Sequence, residues 1–561
     1  MKVSQIPYKR IDKDDAERRI NEAVALAKNA VSVDELLASR EHINKLVDEF
    51  STMFSLANMR FTLNTKDEFY QAERAYYDEI TPIIGVKSLE FKKAFLGSPF
   101  LDDAKKQLNP LVIKMFEIEL KTADERIVAD LQEENRLTMQ YVKFVSELLF
   151  DFKGEKITLG ALKKHMTDSD RQVRKAAYNV LGATLQENSN FLDDIFDKMV
   201  KVRDTMAKKM GFENFIEMGY YRMSRTAFDE NTIKTFRKNV KEQLVPVIAK
   251  LKNEIKERLG IDELKLYDNE TYFENDPTPI LDAQGILAAG QEMYRDMSKE
   301  TGDFMDMMMQ NDAFDVLPRE GKWTGGYCTA FPLYNQPFIF ANFNGTTADV
   351  DVITHEAGHA FAFYAHSPYQ LTELEIGGME TAETHSMSME FLCWKYMDKF
   401  FGERAKDYCY KHLFDSITFI PYGVIVDLFQ HIIYENPQMT PKERKDVWLA
   451  LEKEYRPHMN AQNITYLEEG TRWQYQNHIF ELPFYYIDYC LAQSVALQVL
   501  MLSQKDYSKA FSTYLEHTKR GGLYDFNTLV KMMELKSPFE EGALEEVARG
   551  VEELLAKLAK E

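Results

Sequence analysis

Residues 349–365 constrain the fold more than any other part of the chain, because a helix-length run that is apolar on nearly every side carries two histidines and a glutamate at its centre. The centre reads Thr354-His355-Glu356-Ala357-Gly358-His359, the pattern H-E-x-x-H. On an α-helix, positions i and i+4 lie one turn apart on the same face, so His355 and His359 can grip one metal ion. Glu356 would then sit beside the metal's water as a general base. The following Ala360-Phe361-Ala362-Phe363-Tyr364-Ala365 keeps the helix apolar. Such a helix is buried by its neighbours, and buried histidines need partners. The fold must therefore wrap this helix and bring a third ligand to it, since a catalytic zinc has three protein ligands and one open position.

Spacing narrows where that ligand comes from. An extended H-E-x-x-H-x-x-G-x-x-H site needs glycine at 362 and histidine at 365, where this chain has Ala362 and Ala365. His366 is off that register, two helical turns from His359, and reads as structural. A carboxylate on a second helix remains. Gly377-Gly378 makes a flexible turn, and residues 379–392 then read as a helix with Glu380, Glu383 and Glu390 along one face. Ligating imidazoles need acceptors for their other N–H, so a row of carboxylates suits ligands and their supports alike. The face pattern alone does not choose among the three. His385 points away from Glu383.

Most of the remaining chain has helical periodicity, with apolar residues three or four apart among charges, from about residue 12 onward. Asp168-Ser169-Asp170 opens a long helix with acid in its first turn. Residues 154–160 read as a short strand and turn, and residues 264–268 as a strand or extended connection at a seam between lobes. The one strong β signal is Gly325-Gly326-Tyr327-Cys328-Thr329-Ala330-Phe331 followed by Gln336-Pro337-Phe338-Ile339-Phe340, a hairpin or neighbouring strands just before the motif. Pro337 belongs at an edge or a strand start. An exposed edge along residues 338–343, with Phe340, Ala341 and Asn342, can bond an extended peptide, and Gly325, Gly326 and Tyr327 can line the same cleft; an ordinary buried strand fits residues 338–343 equally well. The fold class is mainly α with a small sheet beside the H-E-x-x-H helix. A chain of 561 residues exceeds one compact core. The expected division is an N-terminal helical lobe, 1–200, and a catalytic lobe, 201–561.

A formal net charge of −21 argues against nucleic acid and anionic membrane as partners, since both need a basic face. No apolar leader segment and no uninterrupted apolar span of about 18 residues is visible. The four cysteines are widely spaced without C-x-x-C and read as reduced, buried thiols. Together these point to a cytoplasmic protein.

The chain resembles the M3 family of zinc metallopeptidases, in its oligoendopeptidase F and Pz-peptidase-like branch. The resemblance rests on His355-Glu356-Ala357-Gly358-His359, on Ala382-Glu383-Thr384-His385-Ser386-Met387-Ser388-Met389-Glu390, and on His478 with Pro483-Phe484-Tyr485-Tyr486-Ile487-Asp488-Tyr489. It covers about residues 168–500. It implies two helical lobes enclosing a deep channel with one zinc ion at its floor, and cleavage of short peptides rather than folded proteins. Position by position, it makes His355, His359 and Glu383 the zinc ligands and Glu356 the base, and leaves Glu380 and Glu390 as supports. His478 and a tyrosine become donors to the transition state: Tyr489, with Tyr485 or Tyr486 beside it. On residues alone, His478 and these tyrosines read as aromatic packing. Two other readings stand beside it: a non-heme iron enzyme built on the same two histidines and carboxylate, and a helical peptide-binding scaffold that no longer cleaves. The sequence does not give the oligomeric state.

Overall fold

The computed structural model describes residues 1–369, 371–374 and 377–560. Helices dominate it. The N-terminal ones begin where short acceptor side chains sit: α1 (Lys13–Asn29), α2 (Val33–Leu63) and α3 (Glu68–Leu96) start behind Asp12, Ser32 and Asp67, each accepting a backbone N–H of the first turn. Their apolar faces, including Ile20, Ile43, Phe91 and Phe95, close a small core with Val112 and Phe116 that is separate from the main one. The far half of α2 leaves this core, and Met53, Leu56 and Met59 join the main core instead.

Many ties bind these helices to the rest, among them two between side chains. Thr62 on α2 meets the Tyr327 hydroxyl at 2.6 Å. Arg40 donates to both oxygens of Glu373 at 2.6 and 2.5 Å, a largely buried pair. A cavity of about 270 Å³ lies between the bodies, lined by Leu111 and Met115 on one side and by Met223, Leu374, Met379 and Ala382 on the other. Residue 200 falls inside a continuous helix, Ser189–Met210, so no break in secondary structure marks it.

The expected strand near residue 154 is one half of a hairpin. β1 (Leu149–Phe152) and β2 (Glu155–Thr158) pair antiparallel across Lys153 and Gly154. Both turn residues have positive φ, 55° and 86°, as a two-residue primed turn requires. The second sheet holds β3 (Phe314–Asp315), β4 (Tyr327–Phe331) and β5 (Gln336–Phe340) in the order β3-β5-β4, with β4 antiparallel to β5. Pro337 lies one residue into β5, short of the Ile339 and Phe340 positions where β3 pairs, so its missing N–H removes no bond to β3. The strand expected at 264–268 does not form. Leu266–Asp268 is a 3-10 turn, because the buried Asp268 carboxylate accepts the Lys265 N–H and the guanidiniums of Arg171 and Arg174.

The remaining helices used below are α4 (Thr347–His366), α5 (Met379–Leu392), α6 (Ala405–Glu435), α7 (Tyr486–Lys505) and α8 (Tyr507–Arg520). Helix α5 packs between α4 and α7, and every residue from Glu380 to Met389 is buried. Among the described residues, one stretch is long and apolar enough to cross a membrane, Asp398–Glu435, and 78% of its apolar 18-residue window is buried in the fold. The four cysteines are free; three are buried and Cys328 is half-buried.

Candidate metal centre and active site

Asp349, in the first turn of α4, accepts the backbone N–H groups of Asn344 (2.9 Å) and Gly345 (2.7 Å), which bends the chain from the sheet into the helix. His355 and His359 follow on one face, their rings 5.0 Å apart and nearly perpendicular at 87°. Gly358 lets a second helix reach them. A Cβ there would lie 2.7 Å from Ser386 Cα, so only glycine admits α5 this close. The crossing brings Glu383 to the imidazoles, with Oε2 3.5 Å from Nε2 of each. The three donor atoms lie within 4.8 Å of one another.

A tetrahedral site with bonds of about 2.1 Å has ligand–ligand edges of about 3.4 Å. An octahedral site with similar bonds has edges of about 3.0 Å. Edges of 3.5 Å fit the tetrahedral case. The His355 and His359 side chains are 24% and 18% exposed against 5% for Glu383, so the site opens on the histidine side and is sealed behind the carboxylate. His366 stands apart, its Nδ1 3.1 Å from the Lys519 carbonyl, and His385 packs on His517 at 4.9 Å between ring centres.

Behind the ligands runs a chain of hydrogen bonds with one direction. Trp394 Nε1–H donates to His412 Nδ1 at 2.9 Å. An indole only donates, so His412 carries its proton on Nε2 and gives it to Glu390 Oε2 at 2.6 Å. Glu390 Oε1 lies 2.5 Å from His355 Nδ1, whose N–H it accepts, leaving Nε2 as the ligating nitrogen. Burial pushes the Glu390 carboxyl up, but the two imidazoles outweigh it and hold it down to about 2. Glu383 is likewise raised by burial and brought well below the usual range by His359 and His355. Its Oε1 accepts the Tyr485 hydroxyl at 2.7 Å, and Ser386 Oγ reaches Oε2 at 3.2 Å.

Glu380 departs from its expected supporting role. One turn before Glu383, it has no hydrogen bond to either imidazole among the described residues. Burial and the charge of Asp488 push its carboxyl up to about 8, with Arg225 opposing. The charges that act on it are those of the buried Arg225–Asp488 pair. His412 and Trp394 carry no local motif; their only signal was the general need of a ligating histidine's carboxylate for partners of its own.

Helix α7 supplies the tyrosines. Phe484 precedes it at φ 68°, with its N–H given to Gln430 Oε1 and its carbonyl held by Arg225. This fixed turn aims Tyr485, whose ring stands 4.8 Å from Tyr489 and 5.8 Å from His478. The charge of Glu383 bears on both Tyr485 and Tyr489, and that of Glu356 on Tyr489. Tyr486 packs on Phe419 and Tyr422, with its ring 4.8 Å from His478 and 5.6 Å from Tyr489. Both tyrosines that could accompany Tyr489 thus lie beside it, and of the two Tyr485 is the one hydrogen-bonded to Glu383. Burial lowers the His478 imidazole to about 4, with Glu383 opposing, so the ring is neutral near pH 7.

The expected peptide-binding edge needs correction. β5 has a strand on each side, and Phe340 and Ala341 are buried, so residues 338–343 present no free edge. Phe340 instead stacks on Tyr327 at 5.0 Å. Asn342 donates to the carbonyls of Trp323 and Gly325, both at 2.9 Å, and staples the loop before β4. The edge strand is β4, entered through half-buried Gly325, exposed Gly326 and half-buried Tyr327. The charge of Glu356 acts on Cys328 of β4 and on Tyr489 of α7.

Comparison with known proteins gives this arrangement a family. Residues 3–123 match the peptidase M3 N-terminal domain, and residues 164–286 and 292–549 match peptidase family M3. The chain is 22% identical to oligopeptidase PepF of Bacillus subtilis (strain 168), over 95% of this chain and 82% of that one. Among solved structures, Pz peptidase A with an inhibitor superposes with a TM-score of 0.94 at 40% identity, covering 99% of each chain. A putative oligoendopeptidase F from Bacillus anthracis str. Ames does so with 0.89 at 36%, covering 99% of this chain and 98% of that one. The chain belongs to peptidase family M3 and is a metallo-oligopeptidase.

Proposed function

We propose that the protein is a zinc endopeptidase that hydrolyses internal bonds of short, unstructured peptides in the cytoplasm. The observation that carries this is the convergence of Glu383 Oε2 on the Nε2 atoms of His355 and His359 at 3.5 Å, with Glu356 next in sequence to the first ligand. His355, His359 and Glu383 would hold the ion. Bound there, zinc supplies a Lewis acid for the peptide carbonyl and the acidity that makes water a nucleophile near neutral pH. Glu356 takes the proton from the attacking water and passes it to the departing amine. The oxyanion needs donors from the protein: the His478 N–H and the Tyr489 phenol, since the Tyr485 phenol is committed to Glu383. The β4 edge, with Gly325, Gly326 and Tyr327, receives the extended backbone of the substrate. We read the chain as an N-terminal helical lobe of about 200 residues over a catalytic lobe, the peptide lying between.

An iron facial triad is disfavoured by the absence of a task for Glu356. A silent scaffold is disfavoured because ligands, base and donors all stand together. The test is Glu356→Gln assayed with internally quenched peptides of graded length. The variant should keep full zinc and lose activity by at least about 10²-fold. Equal rates with zinc retained would refute the base, and casein cut as fast as a short peptide would refute the restriction to peptides.

A further inference from the structure

A neutral imidazole carries a single N–H, and the hydrogen bond at one nitrogen decides where it sits. At His478 that bond is built by two residues with no part in the reaction so far. Gln476 Nε2 approaches His478 Nδ1 at 2.9 Å, and the Tyr422 hydroxyl approaches Gln476 Oε1 at 2.7 Å. Amide orientation must be argued from the network around it. In the observed arrangement every proton has a taker: the phenol gives to the amide oxygen, the amide N–H gives to Nδ1, and the imidazole proton is left on Nε2. With the amide reversed, the phenol would accept from the amide nitrogen and its own proton would need another acceptor. Among the described residues the Tyr422 hydroxyl has no other hydrogen-bond partner.

Charge favours the same direction. Arg472 and Arg456 stand over the Tyr422 ring, with guanidinium carbons 4.4 and 5.3 Å from its centre. Both work against the burial that raises the phenol's pKa, and so make it a better donor. The phenol is therefore a donor, Gln476 Oε1 its acceptor and His478 Nδ1 the acceptor of the amide. No protein group is hydrogen-bonded to Nε2 among the described residues, and the ring is part-exposed.

We propose that Tyr422 and Gln476 are positioning residues that hold His478 as its Nε2–H tautomer, the form that can donate to an oxyanion. This rests on the reading of His478 as an oxyanion donor, and the two can be separated. Gln476→Glu is the reversing change: it is near-isosteric at a part-exposed position, and its carboxylate can only accept. A neutral His478 would then carry its proton on Nδ1 and leave Nε2 bare. The other groups around the ring are Glu383, Tyr485, Tyr486 and Tyr489, all unchanged by the substitution.

The experiment uses zinc-loaded protein with 15N-labelled histidine at a pH near 9, well above the ordinary imidazole pKa of about 6.5. The His478 signals are identified by their loss in His478→Gln. In wild type, Nε2 should appear protonated and Nδ1 unprotonated. In Gln476→Glu the two should exchange, and kcat should fall about 10²-fold with KM little changed, as for loss of one oxyanion donor. Tyr422→Phe, which frees the amide to turn, should show both forms. A wild-type Nδ1–H signal, or a Gln476→Glu protein with Nε2–H retained and kcat within about twofold of wild type, overturns the proposal. Full kcat in His478→Gln would instead sink the donor role of His478 and leave the tautomer result to be judged by its spectrum.

Discussion

Replacing His412 by phenylalanine should weaken zinc binding without touching a metal ligand. Phenylalanine keeps the ring that stacks on Tyr408, 5.6 Å away at 17°, and removes both nitrogens. Two hydrogen bonds go: Trp394 to His412, and His412 to Glu390. The second ends on a carboxylate only 13% exposed. A hydrogen bond to a charged group contributes about 1.5–3 kcal/mol. If that loss is felt at the metal through Glu390 and His355, it is a factor of about 10–100 in zinc affinity, at 1.4 kcal/mol per tenfold. Loss of a support behind a ligating histidine has the same general size. The assay is competition with a chromogenic chelator at fixed pH, together with melting of the metal-free protein. The metal-free variant should lose some stability, because the Trp394 N–H is left unpaired, and the loaded variant should lose more. Unchanged zinc affinity in a folded His412→Phe protein would refute the claim that the Trp394–His412–Glu390 chain orients His355.

Tyr485→Phe removes the phenol that holds Glu383 Oε1 at 2.7 Å, so zinc affinity should fall by about tenfold, and an unchanged chelator titration would return Tyr485 to the role of packing. His517→Phe tests acid lability. Burial lowers His517 to about 4, so below about pH 6.5 the unfolded chain takes a proton that the folded chain refuses. Stability from this group is full above that pH and falls by about 1.4 kcal/mol per unit as pH drops towards 4. The stability of the variant relative to wild type should therefore rise by that slope in denaturant melts between pH 6.5 and 4.5, and a difference independent of pH would show that His517 is protonated in the fold.

The parts of this site that could be read from the sequence are those where a helix repeats on itself. His355 and His359 share a face because they are four apart, and the acidic face of α5 is visible for the same reason. The ligand among Glu380, Glu383 and Glu390 is decided by where α5 crosses α4, and that crossing is set by contact between Gly358 and Ser386. Periodicity places side chains on a face but says nothing about which turn of that face meets a neighbour. Glu380, a single turn from Glu383, thus falls under the charges of Arg225 and Asp488. The same limit explains Tyr485 against Tyr486. Adjacent residues at a helix start diverge, and the turn that aims them depends on Phe484 at φ 68°, held by Gln430 and Arg225 from other helices.

The sheet repeats the lesson at an edge. The sequence of β5 has the pattern of a strand, and its pairing with β4 follows from the two apolar runs. Its other edge is closed by β3, two residues long and too short to alternate. A strand's capacity to pair with a peptide depends on its outermost neighbour, so the strands with an unpaired side are β3 and β4, without any change in β5 itself. That bears on mechanism. Glu356 acts electrostatically on Cys328 of β4 and on Tyr489 of α7, so β4 and the start of α7 both lie within reach of its charge. With β5 as the edge, Phe340 and Ala341 would have to leave the core for a substrate to reach the metal. The geometry that makes cleavage plausible is therefore the one in which the shortest strand, β3, occupies the edge that the substrate does not use.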